Sequence, residues 1–206
     1  MGDAIQKTAI SSLQEVRNLI KELPGPDLES LKKFTLHDAQ LTKPMGSLGK
    51  LETLVEWLAS WQAQYPPRLN HPRTSVFAGN HGIAKYGVSA FPSSVTSEMV
   101  KNFVEGGAAV NQLCKTFDAD LRVYELGLEQ PTSDFTTEPA MTEEDCVRAM
   151  AYGMMAIEPG LDVICIGEMG IGNTTSAAAV SMGLFGGKAE EWVGRGTGIT
   201  PKTLEK

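Results

Sequence analysis

The sequence predicts an α/β protein with a parallel sheet and a small helical appendage at the N-terminus. Residues 67–206 alternate short apolar runs, glycine turns and helical segments, a pattern typical of parallel strands joined by helices. Residues 1–66 carry only helical periodicity. We therefore place a helical small domain at 1–66 and an α/β domain at 67–206.

The composition is typical of a soluble globular protein, and it disfavours some classes of binding partner. Of 206 residues, 42% are hydrophobic and 21% are charged, and the formal net charge is −7. This charge disfavours a nucleic-acid partner, and no apolar run approaches membrane-spanning length. Cys114, Cys146 and Cys165 are far apart without metal-ligand spacing, so we interpret them as reduced core thiols of a cytoplasmic protein.

The appendage contains three segments in which apolar residues have helical spacing. The first covers 5–23 and ends at a Pro-Gly-Pro turn, and the second covers 28–41. The third follows the glycine turn at 42–50 and continues to the proline pair at 66–67. On its form alone, this turn favours a plain helix–loop–helix connection.

The first strand, at 74–78, ends at Gly79-Asn80-His81-Gly82. Such turns lie at the carboxyl edge of a parallel sheet, where α/β proteins bind ligands. The loop that follows, up to Pro92, is partly apolar and suited to lie over an aromatic substrate. By itself, His81 is either a structural hydrogen-bonding residue or a catalytic one.

The middle of the chain alternates helices with a second strand. Helices are predicted at 94–103 and 108–117, and the strand at 121–127 again ends in glycine. A weak capping box opens a helix that runs to about residue 157. The methionines along that helix indicate core packing.

The segment 163–179 is the centre of the predicted sheet. Its first four residues predict a strand buried on both faces, followed by a turn at Gly167, Gly170 and Gly172. Residues 174–176 are helix-capping types, and a helix is expected from Ala177. This form fits either a bare helix N-terminus that binds an anion or a plain tight turn.

The last glycine-rich element covers 193–198, and we count it as the fourth strand–glycine–helix turn. It places backbone N–H groups beside Arg195, which fits an anion site or a flexible turn equally well. A helix start with Thr200 as its cap follows, and the chain stops a few residues later. We therefore expect a fragment of a longer protein.

Several segments closely resemble the motifs of one family. They are 41–52 (Leu-Thr-Lys-Pro-Met-Gly-Ser-Leu-Gly-Lys-Leu-Glu), 77–84 with 87–92, 106–111, 167–175 (Gly-Glu-Met-Gly-Ile-Gly-Asn-Thr-Thr) and 193–198 (Val-Gly-Arg-Gly-Thr-Gly). The family is nicotinate-nucleotide–dimethylbenzimidazole phosphoribosyltransferase, of the lower-ligand branch of cobalamin synthesis. The resemblance extends from about residue 41 to the end.

The resemblance implies a Rossmann-like parallel sheet with helices on both faces, a nucleotide-binding role for 67–206, and a homodimer. It implies transfer of phosphoribosyl from nicotinate mononucleotide to 5,6-dimethylbenzimidazole, which yields nicotinate and α-ribazole 5′-phosphate without a metal or organic cofactor. The ring of nicotinate is a positively charged pyridinium in the substrate and becomes an uncharged pyridine on release. The protein therefore has to hold the phosphate, align the incoming nitrogen and take its proton.

The resemblance also assigns site residues. Glu168 matches a glutamate near the ribose, and Phe91 and Met99 fall where the family lines the benzimidazole slot, although other members carry polar residues there. His81 is a further substrate-binding candidate, and Asn80 stands where many members have Asp. The phosphate-holding loops correspond to Gly170, Asn173, Thr174, Gly194, Gly196 and Thr197.

The general base of the family is a glutamate in an Arg-Leu-Gly-Glu-Gly motif, which is not found in these 206 residues. We therefore expect the chain to be the N-terminal part of the enzyme, and residues 1–206 alone to be catalytically silent. Two alternatives remain open. One is a nucleotide-binding module or inactive remnant, and the other is a different sugar-phosphate enzyme that uses the same sheet edge.

Overall fold

The structure, a computed structural model, describes residues 10–205. The described chain separates into two compact units, one of residues 14–71 and one of residues 72–205 with residues 10–13. Part of the first predicted helix, including Ile5 and Ala9, lies outside the described residues. Each unit is considered by itself below.

The smaller unit is helical. Its elements are α1 (Leu13–Glu22), α2 (Leu28–Asp38) and α3 (Lys50–Trp61), and α2 packs against α3. Asp27 caps α2 because its side chain accepts a hydrogen bond from the backbone N–H of Ser30. The small helical appendage predicted from the periodicity is confirmed.

A lysine braces the turn between α2 and α3. Lys43 Nζ lies 3.1 Å from Asp38 Oδ2 and 2.7 Å from Glu52 Oε1, and its side chain is only 13% exposed. The same Glu52 oxygen accepts the N–H of Leu48. The hydrogen bond between Lys43 and Glu52 raises the pKa of Lys43 and lowers the pKa of Glu52. The conspicuous turn at 42–50 thus joins two helices through charge pairing.

The larger unit is built on a parallel sheet of β1 (Pro72–Ala78), β2 (Asp120–Glu125) and β3 (Val163–Met169), in the order β2-β1-β3. The α/β class with a parallel sheet is confirmed. Six helices accompany the described strands: α4 (Ser94–Glu105), α5 (Ala109–Thr116), α6 (Glu143–Met154), α7 (Asn173–Phe185), α8 (Ala189–Trp192) and α9 (Pro201–Leu204). A 3-10 helix at Gly82–Tyr86 follows β1.

The position predicted for β3 is wrong in two respects. The strand pairs only with β1 among the described strands, so it lies at the edge of the sheet that residues 10–205 form, and Ile166 is 75% exposed. It also continues through Gly167 and Glu168, which pair with Val76 and Phe77, so Gly167 is not a turn residue. Sheet neighbours depend on distant pairing, which an apolar run does not specify.

Three smaller expectations also change. The helix α7 begins at Asn173 with Gly172 as its cap residue, whereas the sequence predicted capping at 174–176. The glycine-rich segment 193–198 follows the helix α8, and residues 10–205 contain three strands, so the fourth strand–glycine–helix turn is absent there. Of the three free cysteines only Cys114 is buried, and Cys165 is exposed, so the core-thiol interpretation fails for Cys165.

Candidate active site

The strand order places the carboxyl ends of β1 and β3 side by side, and the edge between them is called the crevice below. The chain passes from β1 to β2 on one side, while β3 lies on the other. The carboxyl ends of neighbouring parallel strands are where α/β proteins bind ligands. The N–H of Gly79 donates to the Met169 carbonyl at 3.0 Å, so the loops after the two strands start side by side.

Glu168 projects an exposed carboxylate at this edge, and α7 holds it in place. The Asn173 side chain donates from Nδ2 to Glu168 Oε2 at 2.5 Å. Its Oδ1 accepts the N–H of Thr174 at 2.8 Å. One side chain therefore accepts an N–H in the first turn of α7 and orients the carboxylate. Such a group can accept hydrogen bonds from sugar hydroxyls.

His81 reaches the same edge from the loop after β1. Its Nδ1 lies 3.1 Å from Ser176 Oγ in the first turn of α7. Burial lowers the pKa of His81, and the negative charge of Glu168 opposes that shift. The lowered pKa favours the neutral imidazole. The sequence allowed His81 to be either a structural hydrogen-bonding residue or a catalytic one, and its contact with Ser176 is a hydrogen bond of the structural kind.

The N-terminus of α7 has fewer unpaired backbone N–H groups than the sequence predicted. The N–H of Ile171 donates to Thr96 Oγ1 at 3.2 Å, and the N–H of Asn173 donates to the Gly170 carbonyl at 3.0 Å. With Thr174 bonded to the side chain of Asn173, part of the predicted anion-binding capacity is already used by the protein. Any phosphate must rely on the remaining donors.

The final glycine loop lies against the start of α7. A Cβ on Gly196 would be 3.2 Å from Thr174 Oγ1, while one on Gly194 would meet nothing within 4 Å. The hydroxyl of Thr197 lies 2.8 Å from Ser89 Oγ and accepts the N–H of Ala90 at 3.1 Å. Thr197 thus anchors the loop after β1, and the two predicted phosphate loops are neighbours.

The residues predicted for the base slot are less tightly defined. Phe91 is 51% exposed in the loop after β1, and Met99 is half-buried on α4. The slot therefore stays a prediction. Asn80 donates from Nδ2 to the Leu128 carbonyl, and its Oδ1 is buried without a described partner.

A cavity of about 620 Å³ lies on the other side of β1, between the loops that follow β1 and β2. Asn80, Ser94, Ser97 and Glu129 are among the residues that line it. Of the predicted site residues only His81 borders this cavity. It therefore adjoins the edge between β1 and β3 at His81 and contains no other predicted site residue.

Three polar residues that organise the crevice were not predicted from the sequence: Thr96, Ser176 and Ser89. Thr96 is fully buried in α4, and a single threonine in a helical segment does not indicate a functional site. Ser176 stands four residues after Gly172, a spacing that places a serine hydroxyl near the earlier carbonyl in a helix. That spacing is the one local signal available.

Residues 23–206 match a family model described as phosphoribosyltransferase. The chain belongs to this phosphoribosyltransferase family. The family resemblance stated from the motifs is confirmed.

Similar proteins bear related names. The nicotinate-nucleotide–dimethylbenzimidazole phosphoribosyltransferase of Sinorhizobium fredii is 54% identical over 93% of this chain, and that of Rhizobium meliloti is 55% identical over 92%. The crystal structure of CobT from Thermus thermophilus superposes with a TM-score of 0.78 at 38% identity and covers 86% of this chain.

The chain spans only part of these proteins. It matches 56% of the length of each of the two named relatives and 59% of the Thermus thermophilus chain. Across residues 10–205, no helix is both long enough and apolar enough to cross a bilayer.

Proposed function

We propose that this chain contributes the donor-binding crevice of an enzyme that transfers phosphoribosyl from nicotinate mononucleotide to 5,6-dimethylbenzimidazole in cobalamin biosynthesis. The observation that carries the proposal is the convergence of Glu168, Asn173 and His81 at the ends of β1 and β3. The glycine loop at 194–197 lies beside them. The names of the relatives support the choice of substrates.

The phosphate of the donor would bind where α7 begins. The positive end of a helix dipole favours an anion, and the adjoining 194–197 loop supplies further backbone N–H groups. The exposed hydroxyl of Thr174 faces that loop beside Gly196. A phosphate held between the two loops would place the ribose toward the end of β3.

Glu168 would then act on the ribose. As the bond between nicotinate and the sugar carbon breaks, positive charge develops on the sugar. A fixed carboxylate stabilises that charge without reorganising, because Asn173 already orients it. The benzimidazole nitrogen attacks the same carbon and later loses its ring proton to a base. We assign no residue of this chain to that base.

The acceptor base would lie against Phe91 and Met99. Apolar contacts discriminate a single methyl group by only ~1–3 kcal/mol. We therefore expect several benzimidazoles to be accepted at similar rates. A strong preference for one polar base, measured as a ratio of kcat/KM values, would contradict an apolar slot.

The proposal is tested with a chimera, because the family glutamate motif is not in these 206 residues. The segment of the Sinorhizobium fredii relative that follows the matched region is joined after Lys206. With nicotinate mononucleotide and dimethylbenzimidazole, the chimera should form α-ribazole 5′-phosphate, detected by chromatography, and Glu168→Gln should reduce its kcat. A folded chimera that binds the nucleotide without forming product would favour the alternative of a nucleotide-binding module.

We further propose that the working form is a cytoplasmic homodimer. The three free cysteines suit a reducing compartment. Analytical ultracentrifugation of the chimera tests the assembly, and a single monomeric species at micromolar concentration would contradict it.

A further inference from the structure

The hydroxyl of Ser176 lies between two groups of different hydrogen-bonding character. Its Oγ is 3.1 Å from Nδ1 of His81 and 3.4 Å from the carbonyl oxygen of Gly172. The helical backbone sets the second contact, since Ser176 follows Gly172 by one turn. The first contact links α7 to the loop after β1, two elements far apart in the sequence.

One arrangement of protons satisfies both contacts. A carbonyl oxygen can only accept, so the contact with Gly172 requires the single hydroxyl proton of Ser176. No proton then remains on Oγ for His81, and the imidazole must donate from Nδ1. In a neutral imidazole with a proton on Nδ1, the other nitrogen, Nε2, carries a lone pair.

That lone pair lies at the crevice. Nε2 would be 3.0 Å from a Cβ on Gly170, which places it at the turn that ends β3. Within residues 10–205 no protein group donates a hydrogen bond to Nε2, and Nε2 is not among the buried polar atoms that lack a partner. Burial lowers the pKa of His81, which favours the neutral ring that the lone pair requires.

We propose that Ser176 is a positioning residue that holds His81 with its proton on Nδ1, so that Nε2 accepts a hydrogen bond from a hydroxyl or N–H group of a bound substrate. The inference rests on the proposed function. There, the donor offers ribose hydroxyls and the benzimidazole offers one ring N–H. The bond that one ring nitrogen makes decides which nitrogen is protonated, so losing the Ser176 hydroxyl should release the ring.

Long-range ¹H–¹⁵N NMR of the histidine rings tests the tautomer directly. The chain has three histidines, and His81→Asn identifies the signal of His81. At pH 7.5 we expect the Nδ1–H tautomer in the wild type and in Ser176→Thr, and its loss in Ser176→Ala. Backbone amide spectra verify that each variant is folded. An Nε2–H tautomer in the wild type, or no change in Ser176→Ala, would overturn the proposal.

Ligand titrations separate this inference from the proposed function. Nicotinate mononucleotide and dimethylbenzimidazole are added separately, and the Nε2 signal should move with the ligand that donates to it. If neither ligand binds while the Nδ1–H tautomer is present, the proposed function fails and the role of Ser176 in setting the tautomer stands. If ligands bind and Nε2 does not move, the acceptor role of His81 is wrong.

Discussion

The carbonyl oxygen of Gly79 occupies the space beside Gly170: a Cβ on Gly170 would lie 2.2 Å from it. The turns that end β1 and β3 therefore touch through their backbones. The family resemblance places this glycine in a phosphate-holding loop, and its Cβ position faces protein. The glycine is required for packing the two loops, whichever ligand binds beside them.

Gly170→Ala should consequently destabilise the fold. Overpacking of this kind typically costs ~1–3 kcal/mol, because backbone must shift to admit the methyl group. Gly194→Ala is the matched control, since nothing lies within 4 Å of its Cβ position, and it should change the free energy of unfolding by less than about 0.5 kcal/mol. Urea denaturation measures both, and equal effects would contradict the close approach.

Gly194→Ala should instead weaken binding of nicotinate mononucleotide. A methyl group there enters the open space in which the proposed phosphate lies and keeps an oxygen away from the backbone. The control is Gly153→Ala on α6, which also meets nothing within 4 Å and lies outside the proposed site. Calorimetry measures both affinities. Unchanged affinity in Gly194→Ala would remove the 194–197 loop from the phosphate site.

Asn173→Asp should separate the two roles of that side chain. The oxygen that accepts the N–H of Thr174 is retained, but the donor to Glu168 is lost and two carboxylates are brought together. Repulsion between the two carboxylates moves Glu168 from its position. We expect the affinity for nicotinate mononucleotide to fall by about tenfold or more, with little change in melting temperature. Full affinity would show that Glu168 does not need orienting.

Lys43→Met should lower the melting temperature at pH 7, because Asp38 and Glu52 lose their shared partner. The pKa of Glu52 is lowered in the folded state, so its contribution to stability is present above its unfolded pKa of about 4.3 and is lost as the pH falls through the folded pKa. The difference between wild type and variant should therefore shrink in acid.

Calorimetry across pH 3 to 7 measures this effect. Lys50→Met, which removes an exposed lysine at the start of α3, is the matched charge control and should change the melting temperature little at any pH. A constant difference for Lys43→Met down to pH 3 would indicate that the loss comes from packing alone.

Local patterns in the sequence predict where strands and helices lie better than they predict which strands pair with each other. Apolar runs that end in glycine locate β1 and β2, and Thr142 caps α6 as predicted. The order of the strands depends on pairing between distant segments, so β3 was placed at the centre of the sheet although β1 lies there. Strand pairing also carried Gly167 into β3, against its usual preference for turns.

In the candidate site, too, local motifs indicate individual residues but do not predict the contacts between distant segments. Family motifs identify Glu168 and Asn173, but the hydrogen bond between them depends on where α7 begins, which was predicted four residues too late. The contact between Thr96 and Ile171 joins residues 75 positions apart, and no local pattern indicates it. Residue spacing along the sequence does not predict side chains that reach the site from distant elements.

Nicotinate mononucleotide should bind in the crevice between β1 and β3, and every step proposed for the reaction depends on this. Backbone amide chemical-shift mapping on the ¹⁵N-labelled chain of 206 residues can locate the nucleotide, because binding needs no catalytic base. We expect saturable shifts at residues 172–174 and 194–197, with His81 also affected. Shifts confined to the cavity beside Asn80, Ser94 and Ser97, or none at millimolar ligand, would contradict binding in the crevice.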